Sequence, residues 1–483
     1  MGLIEGVILD SSVLFHVNVN GGSTLSPAAH FVFRALHFSN LRKGIHFGKD
    51  LSSDEVNLQE MISKEYGFDC FHSSESTIEL LKDEVALAWS GTGVHTLYVV
   101  SGHKKDLCLK LSDCGFSLSV LDGEFIEDTN LHPSIRHIKK LEQLPLDICC
   151  HNKKAAGKDF IIVGYNMKPS RQRDFAKEMI FLPLTYELPM QLQLEQMDVV
   201  LHKATDDIVS IELNTSMPAP KITYTDGMDK LRRTLEDHPD CCVIDPLNNI
   251  YPVMDRLRIQ DVLLGLENLT TVGHSIIRGA HFLKVDSFDD LNLGERLVEA
   301  KLSLPSIVKP QVACGVSNAH SMAIVFSLQD YKDLPVPLPA IIQEYVDHSS
   351  TLFKFYVLGE KVFHAVKKST ANSDVLMKVF QGNQLKPLVF DSLKSLPTAE
   401  KNEFKEEAID LELVKDAASW LRRKLNLTIF GFDVVIQDGT GDHVIVDVNY
   451  LPSFKEIPDD EAIPAFWEAI KSKFRERREG KNS

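Results

Sequence analysis

The stretch that most limits what this chain can fold into is residues 430–454, FGFDVVIQDGTGDHVIVDVNYLPSF. Two runs rich in β-branched and aromatic residues flank Asp438-Gly439-Thr440-Gly441, so the stretch reads as a β-hairpin. Side chains alternate along a strand, which puts Phe430, Phe432, Val434 and Ile436 on one face. Val444, Val446 and Val448 form the matching apolar face of the second strand, and Asp433, Asp447 and Asn449 take the opposite faces. A loop with an odd number of residues sets Asp433 directly across from Asp447, with Asn449 two residues along. Three oxygen donors then converge with no His or Cys beside them, a set that suits Mg²⁺ or Mn²⁺ better than zinc. A solvated polar face is the commoner fate of such alternation. Asp and Asn are poor strand formers, however, and three in facing positions need a reason. A hard-metal site is the expectation.

The charge balance narrows the partners. Lys+Arg 52 against Asp+Glu 68 gives −16, which argues against a general nucleic-acid or anionic-membrane binder. A polyanionic small molecule would need a local cationic pocket. The eight cysteines form no CxxC pair and include two adjacent pairs, a poor spacing for a zinc knuckle or a disulfide frame. A reduced compartment, cytoplasmic or nuclear, fits best. The start MGLIEGVILD sets acids around a short apolar run and is no signal peptide, and no run of eighteen apolar residues exists to span a membrane. A monomer is expected.

Three domains are expected from the 483 residues: 1–150, 159–245 and 246–475. In the first, IEGVIL (4–9), HTLYVV (95–100) and FSLSVL (116–121) read as strands with helices between them, an α/β domain with a mainly parallel sheet. Sites in such sheets lie at the carboxyl ends of strands, where Asp10 and Ser101 fall. HNKKAAGK (151–158) reads as a linker. The second domain opens with the strand FIIVGY (160–165), a helix over 171–180 carrying Arg171, and the strand MDVVLHK (197–203) ending in Lys203. CCVIDPLNNI (241–250) gives a buried strand broken by Pro246, and a helix over about 252–265 carries Arg256 and Arg258. LPSIVKP (304–310) is a strand bearing Lys309, followed by the small-residue loop with Gly315 and His320, whose backbone amides can approach phosphate oxygens. IIQEYV leads to the antiparallel pair LFKFYVLG and KVFHAVKK, with Lys354 on the face opposite Phe353 and Phe355. An amphipathic helix is expected over 402–424.

ILDSSVLF with VVSGHKK resembles a haloacid-dehalogenase-type phosphohydrolase core, in which Asp10 would be the nucleophile. Ser12 stands where that family has its second acid, so the resemblance implies a domain of that shape without the catalysis. In the rest of the chain the order of LHKATD, VKP, QEYVDHSSTLFKFYVLG and DVNYLPSF resembles the inositol-1,3,4-trisphosphate 5/6-kinase and inositol-tetrakisphosphate 1-kinase family, over roughly residues 160–470. The resemblance implies an α/β chain with an ATP-grasp kinase fold, preceded by a Rossmann-like (haloacid-dehalogenase-like) domain as in longer plant members. It implies transfer of the γ-phosphoryl group of ATP to an inositol tris- or tetrakisphosphate, with Mg²⁺, in a reversible reaction that can shuffle phosphates between ring positions.

Carried over by position, Arg256 and Lys309 would meet the nucleotide phosphates, Gln343, Glu344, Val346 and His348 the adenine, and Ser369 the nucleotide. Arg171, Lys203, His320, Lys354, Lys367, Asn449 and Ser453 would bind the inositol phosphate, His320 and Lys354 being the catalytic pair. Asp433, Asp447 and Asn449 would hold Mg²⁺. The chain departs from the family's pattern at Ser453 (usually Gly), Lys367 (usually Arg), and Cys314-Gly315 with Asn318 (usually Asp-Gly and a Lys). An alternative reading is a non-catalytic inositol-phosphate sensor or scaffold, which would not need the two acids. A carboxylate–amine ligase would share the metal site but leaves LHK and VDHSSTLFK unexplained.

Overall fold

The computed structural model describes residues 2–17, 23–37, 39, 41–48, 53–73, 77–89, 95–121, 135–156, 161–168, 180–213, 220–268, 276–380, 386–394 and 409–480. They form two compact units, Met1–Leu201 with Arg233–Cys241, and His202–Arg232 with Cys242–Ser483.

The first unit opens with a six-stranded parallel sheet in the order Asp69–His72, Arg42–Phe47, Gly6–Asp10, Thr96–Ser101, Ser117–Leu121, Ile135–Ile138. The central strand Gly6–Asp10 is buried throughout, because it is covered on both faces: Val7 and Leu9 enter one core and Ile8 the other. Asp10 stands at its carboxyl end.

The expected linker at 151–158 is in its described part helical: Leu144–Ala156 is one helix. Its polar composition has a structural use. Asn152 accepts from the Ile4 amide at 2.8 Å and donates to the Ile4 carbonyl at 2.9 Å, so an amide side chain stands in for a neighbouring strand. Lys153 pairs with Asp198 at 2.8 Å, and Asp198 accepts from the Ile162 amide at 2.8 Å. The helix therefore joins the sheet to the following Ile162–Asn166 and Ile180–Pro183 strands, which are parallel to each other. The helix expected over 171–180, with Arg171, lies outside the described residues.

The second unit is built on two five-stranded sheets. One runs Ile277–Gly279, His443–Tyr450, Ile429–Ile436, Thr351–Leu358, Lys361–Lys368. The other runs Phe282–Val285, Ala340–Glu344, Ser306–Pro310, Ser321–Val325, Leu388–Asp391. The single helix expected at 252–265 is two, Leu247–Met254 and Arg256–Leu263. Asp255 breaks it by taking an extended conformation and capping the second helix, its carboxylate accepting from the Leu257 amide at 3.0 Å. The amphipathic helix is Leu411–Leu425, capped by Asp410, and residues 402–408 of the expected span lie outside the described residues. Among the described residues no helix is long and apolar enough to cross a membrane.

Candidate active site

Across the hairpin Asp433 pairs with Asp447. The loop between the strands, Gln437–Asp442, has six residues. That even number alone would set Asp433 opposite Val446. A β-bulge supplies the missing residue: Val434 pairs with Ile445 while Asp433 pairs with Asp447, so Val446 is the inserted position. The expected apolar face is corrected accordingly. Val446 lines the cleft beside Val435, and Val444 clusters with Val435, Val346 and Ala280, while Val448 stays opposite Phe432. On the other side Lys354 pairs with Asp433, so Lys354, Asp433 and Asp447 form one row across three strands.

This row lies in a cleft of about 460 Å³. Burial, opposed by Lys354 and reinforced by Asp447, pushes the Asp433 carboxyl up to about 7. Burial also lowers the Lys309 ammonium to about 8, against the pull of Asp447, and its Nζ donates to the Val446 carbonyl at 3.2 Å. Asn449 donates its amide to Asp447 at 3.1 Å, which leaves its amide oxygen as an acceptor. Among the described residues no group of three His, Cys, Asp or Glu is disposed to hold a metal ion. Two carboxylates and an amide are the sparse set that suffices for Mg²⁺ when a substrate's phosphates complete its coordination.

At one end of the cleft Gln343 and Val346 are buried, and His348 donates from Nδ1 to the Val346 carbonyl at 2.6 Å. The Glu344 side chain is committed: Arg278 binds it through both oxygens at 2.8 and 2.9 Å and reaches Gln437 at 2.8 Å. The Glu344 carboxylate is therefore already occupied within the fold, and only its backbone is left to face the cleft. The turn that follows contains Ser349 and Ser350 in the left-handed region, φ 50 and 58. It is held by Ser349 to Asp438 at 3.0 Å, by the His348 and Ser349 amides to Asn372 at 3.1 and 2.9 Å, and by Asn372 to Asp438 at 2.5 Å. The VDHSST motif is thus chiefly an architectural one.

The other end is cationic. Lys203 is buried, with its Nζ on the Tyr450 carbonyl and 4.7 Å from the centre of the Tyr450 ring. His320 faces Ser392 at 3.2 Å, and Ser369, Lys367 and Cys314 also line the cleft. Arg256 also lines the cleft, but its guanidinium is largely used on the loop expected to cradle phosphates. It donates to the carbonyls of Pro310, Val312 and Ala319 at 2.7, 3.0 and 3.2 Å, and its buried Nε has no hydrogen-bond partner. Ser453 is half-buried in the loop beyond the hairpin and is not among the lining residues. Arg171 lies outside the described residues.

Two family descriptions match this chain: the ITPK4 N-terminal HAD-like domain over residues 1–154, and the inositol 1,3,4-trisphosphate 5/6-kinase ATP-grasp domain over 276–467. Inositol-tetrakisphosphate 1-kinase 6 of Oryza sativa subsp. japonica is 43% identical, the match covering 99% of this chain and 91% of that one. The chain belongs to the inositol-tetrakisphosphate 1-kinase family. The enzyme of that name from Danio rerio is 27% identical over 58% of this chain and 68% of its own length. Among solved structures, D-alanine–D-alanine ligase from Bacillus anthracis matches 66% of this chain and 99% of its own, at 15% identity and a TM-score of 0.40. This family member is accordingly an ATP-dependent inositol polyphosphate kinase, an ATP-grasp domain following a haloacid-dehalogenase-like one.

In the latter domain Asp10 is buried and fully engaged. It accepts from Lys104 at 3.0 Å, from Tyr98 at 3.0 Å and from the Ser12 amide at 3.0 Å. Its burial opposes ionisation, but the hydrogen bond from His46 and the charge of Lys104 hold the carboxyl far below its ordinary range.

Sequence reading missed Arg278, Asn372 and Asp438 in the kinase. Each sits alone in the sequence and finds its partners tens of residues away. Removing one member of a largely buried ion pair costs about 3–5 kcal/mol. Arg278→Gln is therefore expected to raise the KM for ATP by about tenfold or more, with little change in the KM for the inositol phosphate. Initial-rate kinetics with each substrate varied in turn checks this.

Proposed function

We propose that ATP lies with its adenine along Gln343, Val346 and His348 and its phosphates toward Lys309, Ser369 and Arg256. The inositol polyphosphate lies against Lys203, His320, Lys354 and Lys367. The observation that carries this reading is the row Lys354–Asp433–Asp447 inside the cleft that both ends share. Asp433, Asp447 and Asn449 would hold Mg²⁺, which when bound supplies charge neutralisation for the phosphates being transferred. The chain's own residues do the rest by positioning and electrostatics, since phosphoryl transfer needs little covalent help. Lys309 neutralises the nucleotide side; Lys354 and His320 orient the acceptor and stabilise charge near the transferred group.

Run in reverse, the same cleft would return a phosphoryl group from an inositol phosphate to ADP, and forward and reverse transfers together would shuffle phosphates between ring positions. Asp10 has its carboxylate neutralised by Lys104 and hidden from substrate, which supports a non-catalytic N-terminal domain.

The test is the full chain with ATP, Mg²⁺ and a panel of inositol tris- and tetrakisphosphates, with products separated by ion-exchange chromatography. At least one acceptor should gain a phosphate as ADP forms. Binding of both ligands without ADP formation would favour the sensor reading. Charge-assisted hydrogen bonds are each worth about 1.5–3 kcal/mol. Lys203→Ala should therefore raise the KM for the inositol phosphate by roughly tenfold or more and that for ATP only weakly. Equal effects on both substrates would remove Lys203 from the acceptor pocket.

A further inference from the structure

Lys367 lines the cleft and is paired with a carboxylate. It forms an ion pair with Glu456, in the loop that leaves the hairpin. The second oxygen of Glu456 accepts from the Tyr356 hydroxyl at 2.6 Å. The strand register explains how these three groups meet. Leu352, Lys354 and Tyr356 share one face of their strand, and Lys367 pairs with Leu352 on the neighbouring strand. Tyr356 pairs with Gly431, which is also the partner of Asn449. Glu456 thus stands beside the cleft-lining Lys367, and its carboxylate is fixed by two donors. Burial works to raise its pKa, but Lys367 and Tyr356 outweigh it and keep the group charged.

A carboxylate has no evident place in a pocket for a polyanion. Phosphate is repelled by it, whereas a hydroxyl can donate to it. We propose that Glu456 is a specificity-determining residue of the acceptor side, withholding Lys367 from the acceptor's phosphates and favouring a free ring hydroxyl over a phosphate at that place. This rests on the acceptor lying along Lys354 and Lys367 as set out above. Lys367 keeps the Glu456 charge from being a bare repulsion, and Tyr356 fixes its direction. The residue limits how many phosphates the substrate can carry and leaves nucleotide binding alone.

Glu456→Gln tests this, since the amide keeps an acceptor for Tyr356 while releasing Lys367. The ratio of kcat/KM for an inositol tetrakisphosphate to that for an inositol trisphosphate should rise by roughly tenfold, the equivalent of about 1.4 kcal/mol, at unchanged KM for ATP. In Glu456→Gln with Lys367→Met the rise should vanish, as expected of coupled neighbours. An unchanged ratio in an active Glu456→Gln enzyme would overturn the proposal, and so would a rise that survives loss of Lys367. A wild-type enzyme that phosphorylates no inositol phosphate would instead overturn the cleft reading on which it rests.

Discussion

The site depends on the register of one hairpin. A slip of one residue moves every side chain of a strand to the other face, and here the six-residue loop by itself gives the wrong pairing for the acids. The bulge at Val446 corrects it within a single residue and costs the core one valine. That valine is still used, since with Val435, Val346 and Leu352 it forms an apolar part of the cleft lining. One local irregularity therefore aligns Asp447 with Asp433, which the neighbouring strand already sets beside Lys354, and turns Val446 to the cleft. Two facing carboxylates repel unless cations or protons lie nearby. Lys354 and Lys309 flank the pair, and Asp433 still sits well above the usual carboxylate range.

A chain of net charge −16 presents a cationic pocket because of how its cations are anchored. Lys203 rests on a carbonyl and a ring, Lys309 on a carbonyl, and Arg256 on several carbonyls. Lys309 and Arg256 also feel the charge of Asp447, so cations and acids stand close together in this cleft. Arg278 and Lys104 show the opposite arrangement, each matched to a carboxylate and serving architecture.

Much of this was legible in the sequence. Alternation placed Asp433, Asp447 and Asn449 on one face, and the order of motifs pointed to the family and to both folds. What could not be read came from contacts remote in sequence. Nothing local marks Val446 as a bulge, because all its neighbours are equally good strand formers. Residues 151–156 look like a linker because their polarity is spent on Ile4 and Asp198, partners invisible at that point of the chain. Asp255 was hidden in an otherwise helical stretch, although Asp before a helix is a known capping signal. That the Glu344 side chain anchors Arg278, 66 residues away, was likewise invisible.

The claim that the hairpin acids form a cation site is tested most directly by Mn²⁺ binding to the nucleotide-free enzyme, followed by electron paramagnetic resonance between pH 6 and pH 8. A metal competes with the proton on its ligands. Because the Asp433 carboxyl is raised to about 7, it is protonated below that pH and free to coordinate above it. Mn²⁺ affinity should therefore climb as pH passes 7 and should be lost in Asp447→Ala. An affinity that is flat across this range, or unchanged in Asp447→Ala, would contradict the account.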